Sequence, residues 1–216
     1  MPQPASVNWS IIPVTPFSQN CTLVWCAKTN KAAVVDPGGE VDLILSEIKK
    51  RGLSLEKIWV THGHLDHGGG AKALKAATGA LIEGPHKDDL FLTASISQQA
   101  RLYGLEGMDS FESDRWLKDG DTVAVGEANW QVIHCPGHTP GHVVFYNRDI
   151  NLALVGDVLF KNSIGRTDFP GGNAADLMKS IKQKLWPLGD VTFVPGHGER
   201  STFAQERRSN PYVADN

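Results

Sequence analysis

Short apolar runs broken by turn residues dominate the pattern of the chain. Residues 9–14 and 21–27 are apolar stretches separated by Pro16 and Asn20, and 32–35 is a third, stopped by Asp36-Pro37-Gly38-Gly39. Runs of this length between turn signals predict strands. Val41, Ile44, Leu45 and Ile48 then fall at the spacing of one helix face, with Gly52 as the stop. Residues 58–60 predict a buried strand, 71–78 a helix ended by Gly79, and 81–82 a short strand. The next periodic stretch, 87–103, predicts a helix with Leu90, Phe91, Ala94 and Leu102 as its core residues. The polar, turn-rich segment 104–120 is expected to cover a site. Strand patterning returns at 123–125, 130–134, 143–146 and 152–155. Residues 174–185 predict a last helix, capped by Asn173, with Leu177, Met178, Ile181 and Leu185 on one side, and 191–194 a final strand. Two batches of strands, each interrupted by helices, argue for a layered α/β architecture with helices outside.

Five of these strands run out into a polar residue beside a glycine or proline turn. Their ends are Asp36, Thr61-His62, His134 leading to Pro136-Gly137-His138, Gly156-Asp157, and Pro195-Gly196-His197. Lying along one sheet edge, these groups would meet in one cleft. The densest end is Thr61-His62-Gly63-His64-Leu65-Asp66-His67, which places three of the eight histidines within six positions. In extended backbone alternate side chains share a face. His62 and His64 can therefore meet one cation while Asp66 and His67 reach a second. A polar loop is the plainer reading for a single histidine, but imidazoles and a carboxylate at this spacing predict a metal site.

Collecting the strand ends gives His62, His64 and His138 for one ion and Asp66, His67 and His197 for the other. Asp157, with two oxygens, is placed to bridge them. The all-nitrogen-and-oxygen donor set suits two divalent ions, zinc first, with iron or manganese admitted. Two such ions acidify water into a nucleophile near neutral pH, so hydrolysis is the expected chemistry. No serine or cysteine nucleophile motif competes with it. Around this set, Asp36 either orients a ligand or fixes its turn. His142 is expected behind the ligands or at a strand start, His134 packed at a strand end, His86 on the surface at a helix start, and Cys135 structural. Arg166 either grips a substrate carboxylate or forms a loop salt bridge.

Composition narrows the setting. With 216 residues, 41% hydrophobic and 21% charged, the chain suits one globular domain over 1–216. A net charge of -3 gives no footprint for nucleic acid. No apolar run approaches the roughly 20 residues that span a bilayer, so no membrane partner is expected. Three cysteines do not make a disulfide framework, and Met1-Pro2-Gln3-Pro4-Ala5 lacks the features of an export signal. A reducing, cytoplasmic setting is the expectation.

The segment Thr61 to His67 resembles the signature of the metallo-β-lactamase superfamily. Pro136-Gly137-His138-Thr139-Pro140-Gly141-His142, Gly156-Asp157 and Pro195-Gly196-His197 match its remaining ligand motifs in order. The resemblance implies a four-layer αβ/βα sandwich with a dinuclear centre at one edge of paired sheets, and favours the ligand-orienting role for Asp36. Within the superfamily, Ser163 to Gly172 and Glu206 to Pro211 are similar to the short bacterial form of glyoxalase II, the hydroxyacylglutathione hydrolases. That branch implies hydrolysis of a small-molecule thioester, S-D-lactoylglutathione, to D-lactate and glutathione in methylglyoxal detoxification. Asp66 would orient the attacking water and Asp157 would hold the two ions together. A persulfide dioxygenase would use His62, His138 and Asp157 around one iron. A lactonase and a non-catalytic metal-binding module are the other readings.

Overall fold

The computed structural model describes residues 7–215. Its first half comprises β1 (Val7–Val14), β2 (Gln19–Cys26), β3 (Lys31–Val35), α1 (Val41–Lys50), β4 (Ser54–Trp59), the short α2 (Leu65–Gly68), α3 (Ala71–Thr78), β5 (Leu81–Glu83) and α4 (Leu90–Tyr103). After a long connection come β6 (Thr122–Val125), β7 (Ala128–His134), β8 (Val143–Asn147), β9 (Leu152–Gly156), the hairpin β10 (Leu159–Phe160) and β11 (Ser163–Ile164), α5 (Ala174–Ser180), β12 (Thr192–Pro195), β13 (Ser201–Thr202) and α6 (Phe203–Ser209).

Strands β1 to β5 form one sheet in chain order, antiparallel through β3 and parallel from β3 to β5. The second sheet runs β13-β12-β9-β8-β7-β6, with β12 and β9 its parallel pair. Three apolar layers separate four layers of structure. Ile12, Leu23, Val34 and Ile58 on one face of the first sheet pack against Ile44, Leu74 and Ile96 of α1, α3 and α4. Ala33, Val35 and Trp59 on its other face meet Trp130, Phe145 and Leu154 of the second sheet. Ala153, Val155 and Phe193 then pack outward on Leu177 of α5 and Phe203 of α6. Strands such as β3 and β9 feed successive residues to opposite cores, which is why they read as unbroken apolar runs rather than as alternation. Trp59 anchors the middle layer, stacked on Phe145 at 5.3 Å and edge-on to Trp130 at 5.8 Å. The arrangement is the αβ/βα sandwich.

Two expectations are corrected, and a third holds with a change of helix type. Leu90, Phe91, Ala94 and Leu102 are all exposed, and α4 buries Leu92, Thr93, Ile96 and Ala100 instead. Apolar residues lie on both sides of this helix, and the buried stripe includes a threonine whose hydroxyl is satisfied by the Leu90 carbonyl at 3.1 Å. Segment 104–120 backs α2 instead of roofing the ligands: Met108 and Phe111 join the first core, and Asp109 N–H donates to the Gly69 carbonyl at 2.9 Å. The last long helix is α5 followed by a π-helical turn over Ile181–Leu185, with Asn173 Oδ1 accepting from Ala175 and Asp176 N–H as expected of an N-cap.

The topology puts the ends of β3, β4, β9 and β12 on one edge, where the polar residues gather. Close backbone approach makes glycine necessary there. A Cβ at Gly38 would overlap the Asp66 carbonyl, and one at Gly196 would overlap the Asp157 carboxylate.

Candidate metal centre

Residues from five connections converge at this edge. Loop 61–64 after β4 carries His62 and His64, α2 carries Asp66 and His67, and the β7–β8 loop carries His138. Asp157 directly follows β9, and His197 follows β12. His62 Nε2 and His138 Nε2 lie 3.1 and 3.0 Å from His64 Nδ1, so three ring nitrogens face one point. His197 Nε2 and His67 Nε2 lie 3.2 and 3.7 Å from Asp66 Oδ2, forming a second group. Both sets offer one ligand atom per residue within 4.8 Å of one another. Asp157 stands between them, with Oδ1 3.3 Å from His67 Nε2, and Oδ2 3.6 Å from His138 Nε2 and 3.7 Å from His197 Nε2. The structure thus brings together all seven residues expected as ligands.

The outer nitrogens explain why the inner ones face the cleft. Asp36 Oδ2 accepts from His67 Nδ1 at 2.9 Å and from the Thr61 hydroxyl at 2.7 Å. With its hydrogen committed to Asp36, Thr61 Oγ1 accepts from His62 Nδ1 at 3.0 Å. His138 Nδ1 donates to the Arg166 carbonyl at 2.7 Å and His197 Nδ1 to the Phe17 carbonyl at 3.2 Å. Four imidazoles therefore have Nδ1 tied to an oxygen and the Nε2 lone pair aimed inward, the arrangement that fixes a metal-binding tautomer. His64 turns its Nδ1 inward instead.

Two buried atoms lack a hydrogen-bond partner at the heart of this arrangement, His67 Nε2 and Asp157 Oδ1. An orphaned nitrogen facing an orphaned carboxylate oxygen needs a positive species between them. The charge balance agrees. Burial opposes a charged His67 ring, yet Asp157, Asp66 and Asp36 hold its pKa well above the ordinary value. Burial likewise opposes ionised Asp157, yet His67 and His138 hold its carboxyl well below the usual range. His62 is pushed well down by burial first and then by His67, and His64 falls to about 3 through burial and His138. Metal binding requires neutral imidazoles and ionised carboxylates, so the carboxylates that favour a proton on His67 and His197 call for a positive charge that a bound cation would supply in its place. The residues present fit two divalent cations.

The supporting residues sort clearly. Asp36 is buried, accepts from Thr61 N–H at 2.7 Å, and orients His67, so it does more than fix a turn. His142 offers no atom to the cleft. Its Nε2 accepts from Asp157 N–H at 3.1 Å while its ring stacks on His62 at 4.6 Å. His86 and His134 stack on each other at 4.3 Å, with His134 Nε2 donating to the Pro140 carbonyl at 2.8 Å. Cys135 is fully buried, its thiol pushed up to about 12 by desolvation. Arg166 forms the loop salt bridge, pairing through Nε and Nη2 with Asp168 at 2.9 and 2.7 Å, and its side chain remains 66% exposed. It also lies over the Phe169 ring at 4.4 Å.

Sequence reasoning passed over three groups. Thr61 relays Asp36 to His62. Phe169 walls the cleft, edge-on to His64 at 5.2 Å and to His138 at 6.1 Å. Asp89 is a fully buried carboxylate beside both ligand loops. Position next to a metal motif could have flagged Thr61. Asp89 follows Asp88 at a helix start, where acids are ordinary, and nothing local distinguishes the buried one.

Comparisons with known proteins agree with this geometry. The family model for the metallo-beta-lactamase superfamily matches residues 14–197. The chain belongs to that superfamily. It is 44% identical over 209 residues to hydroxyacylglutathione hydrolase GloC of Haemophilus influenzae, covering 96% of this chain and 98% of that one. The crystal structure of BLEG-1, a B3 metallo-β-lactamase, matches with a TM-score of 0.88 and 29% identity over 96% of this chain and 100% of that chain. TTHA1623, solved in a di-iron-bound form, matches with a TM-score of 0.86 and 32% identity over 94% of this chain and 100% of that chain. With its paired ligand clusters, the chain is a metal-dependent hydrolase. No helix among the described residues is long and apolar enough to cross a membrane.

Proposed function

We propose that the chain hydrolyses a thioester, S-D-lactoylglutathione, releasing D-lactate and glutathione in methylglyoxal detoxification. The observation that carries this reading is the Asp157 carboxylate reaching both three-residue clusters. Such a layout serves hydrolysis with two bound ions, and the relative named a hydroxyacylglutathione hydrolase shares nearly the full length of the chain. His62, His64 and His138 would hold one divalent ion, Asp66, His67 and His197 the other, and Asp157 both. When bound, the pair of ions acidifies water and stabilises charge developing on the carbonyl oxygen. Zinc suits the donors, and iron suits them equally.

The residues of this chain supply the rest. Asp66, whose Oδ2 faces the His197 and His67 imidazoles, would also orient the attacking water through its carboxylate. Phe169 shields His64 and His138 from bulk solvent. The departing thiolate requires no acid, because thiols ionise near a pKa of ~8.5. A one-iron oxygenase would leave Asp66, His67 and His197 without work, whereas here they are as closely gathered as the first set.

The test is turnover of S-D-lactoylglutathione by protein loaded with zinc or iron, beside chelator-stripped protein and a thioester lacking glutathione. Metal-dependent cleavage favouring the glutathione ester is expected. Equal cleavage of both esters would remove the glutathione assignment, and no cleavage by protein holding two ions would remove the thioesterase reading.

A further inference from the structure

The side chain of Asp89 is buried with no cationic partner among the described residues, yet it meets three donors. Oδ2 accepts from Gly63 N–H and from the Thr139 hydroxyl, each at 2.8 Å, and Oδ1 accepts from Gly141 N–H at 2.6 Å. Gly63 lies between His62 and His64, and Thr139 follows His138. One carboxylate at the start of α4 therefore ties together the two loops that supply the first cluster. Around it the contact is tight. A Cβ on Gly63 would run into Leu92 Cβ, and a Cβ on Gly141 into the Asp89 carboxylate. His86 N–H also donates to the Gly141 carbonyl at 2.9 Å.

Burying an acid is costly unless its lone pairs are well satisfied. An asparagine would have the same shape and no charge, but it fails here for a specific reason. Both glycine partners are backbone N–H donors on different oxygens, and an amide has one acceptor oxygen and one NH2. Whichever way it turned, its NH2 would face a donor. The position demands two acceptor oxygens.

We propose that Asp89 is a positioning residue for the first metal site, setting the separation of His62 and His64 from His138. It touches no substrate and offers no atom to the cleft. The second cluster has no direct contact with Asp89, because His67 rests on Asp36 and His197 on the Phe17 carbonyl. Loss of the Asp89 clamp therefore acts on one site and spares the other. The inference rests on the two-ion reading of the centre.

The experiment is Co2+ titration of the full chain, with proton NMR following the metal-shifted imidazole N–H signals of His138 and His67 separately. Wild-type protein that binds no Co2+ at either group would overturn the two-ion reading itself. Given two bound ions, Asp89→Asn is expected to weaken binding reported by His138 by about 10- to 100-fold, with binding reported by His67 essentially retained. Thr139→Val, which removes one of the three donors, is expected to weaken the His138 site by about 3- to 10-fold. A purely structural role would lower both sites together. Equal weakening at His138 and His67, or wild-type affinity at His138 in both variants, would overturn the proposal. Should Asp89→Asn fail to fold, Thr139→Val decides it by the same readout.

Discussion

The two halves of the centre gather their donors by different means. The first cluster is three imidazoles from two loops, with His62 and His138 buried and the pKa of each of the three lowered, chiefly by burial. It offers a preformed, uncharged box. The second contains Asp66 and is more open: the His197 side chain is 28% exposed. There the carboxylates prevail over burial and raise the pKa of both His67 and His197. The first site relies on geometry set by its neighbours, the second on negative charge. Changes to scaffolding and changes to charge should therefore fall on different ions, while Asp157 belongs to both.

The largest effect is expected where the two halves are joined. Asp157→Ala removes the shared carboxylate and should lower hydrolysis by several orders of magnitude while leaving circular dichroism close to wild type. Elemental analysis should find less than two equivalents of metal. An active Asp157→Ala protein with full metal content would show that the halves work independently. Asp36→Asn comes next. It withdraws the charged acceptor of His67 Nδ1, and supporting residues of this kind cost about 10- to 100-fold in metal affinity. The loss should be greatest at the second cluster and smaller at the first, which Asp36 reaches only through Thr61. Competition with a chelator, site by site, reads the difference.

The sequence carried most of this centre because its candidate ligands follow strand ends, and strand ends are legible as apolar runs stopped by turns. Asp157 and His197 stand directly after β9 and β12, whereas Asp66 and His67 lie on α2, one loop beyond β4, and are named from the spacing of the histidine cluster. The pieces that escaped it act through tertiary contact. Asp89 is distinguished from Asp88 only by what folds over it. Leu92, Thr93, Ile96 and Ala100 were hidden because α4 is apolar on both sides, so periodicity did not select a face. Helix α6 was missed because Phe203 and Glu206 are its only buried residues, with Glu206 accepting from Asn162 N–H at 2.8 Å in place of an apolar contact.

A smaller effect should sharpen the contrast between open and closed sides. The Arg166–Asp168 pair stands at the mouth with both side chains 66% exposed. Hydrogen bonding from Arg166 holds the Asp168 carboxyl down at about 2. A depressed acid keeps its pairing above its folded pKa and loses it as pH falls through that value. The pair therefore persists throughout the neutral range, and a pH profile there will not report it. Asp168→Ala should free the guanidinium for a substrate carboxylate and lower KM a few-fold at unchanged kcat. Arg166→Ala should raise KM by a similar factor. Added salt should shrink both effects, since the groups are screened. A change in kcat with either variant would place the loop nearer the chemistry than its exposure suggests.

The weakest effect tests whether α4 serves the first cluster through one end only. Ile96 is fully buried in the core beneath the helix, and truncation to alanine there should cost about 2–5 kcal/mol of folding stability. Leu102, the penultimate residue at the other end, is 77% exposed. Leu102→Gln removes no packing and keeps good helix propensity, so stability should stay within about 0.5 kcal/mol of wild type. Metal affinity at His138 should not move, because the clamp to the ligand loops lies at residue 89, more than three helical turns away along about 1.5 Å of rise per residue. Urea unfolding and Co2+ titration of the two variants give both numbers. Equal destabilisation by Leu102→Gln would mean that a partner covers this end of α4. A loss of first-site affinity in Leu102→Gln at full stability would mean that the whole helix, and not its first turn, sets the ligand loops.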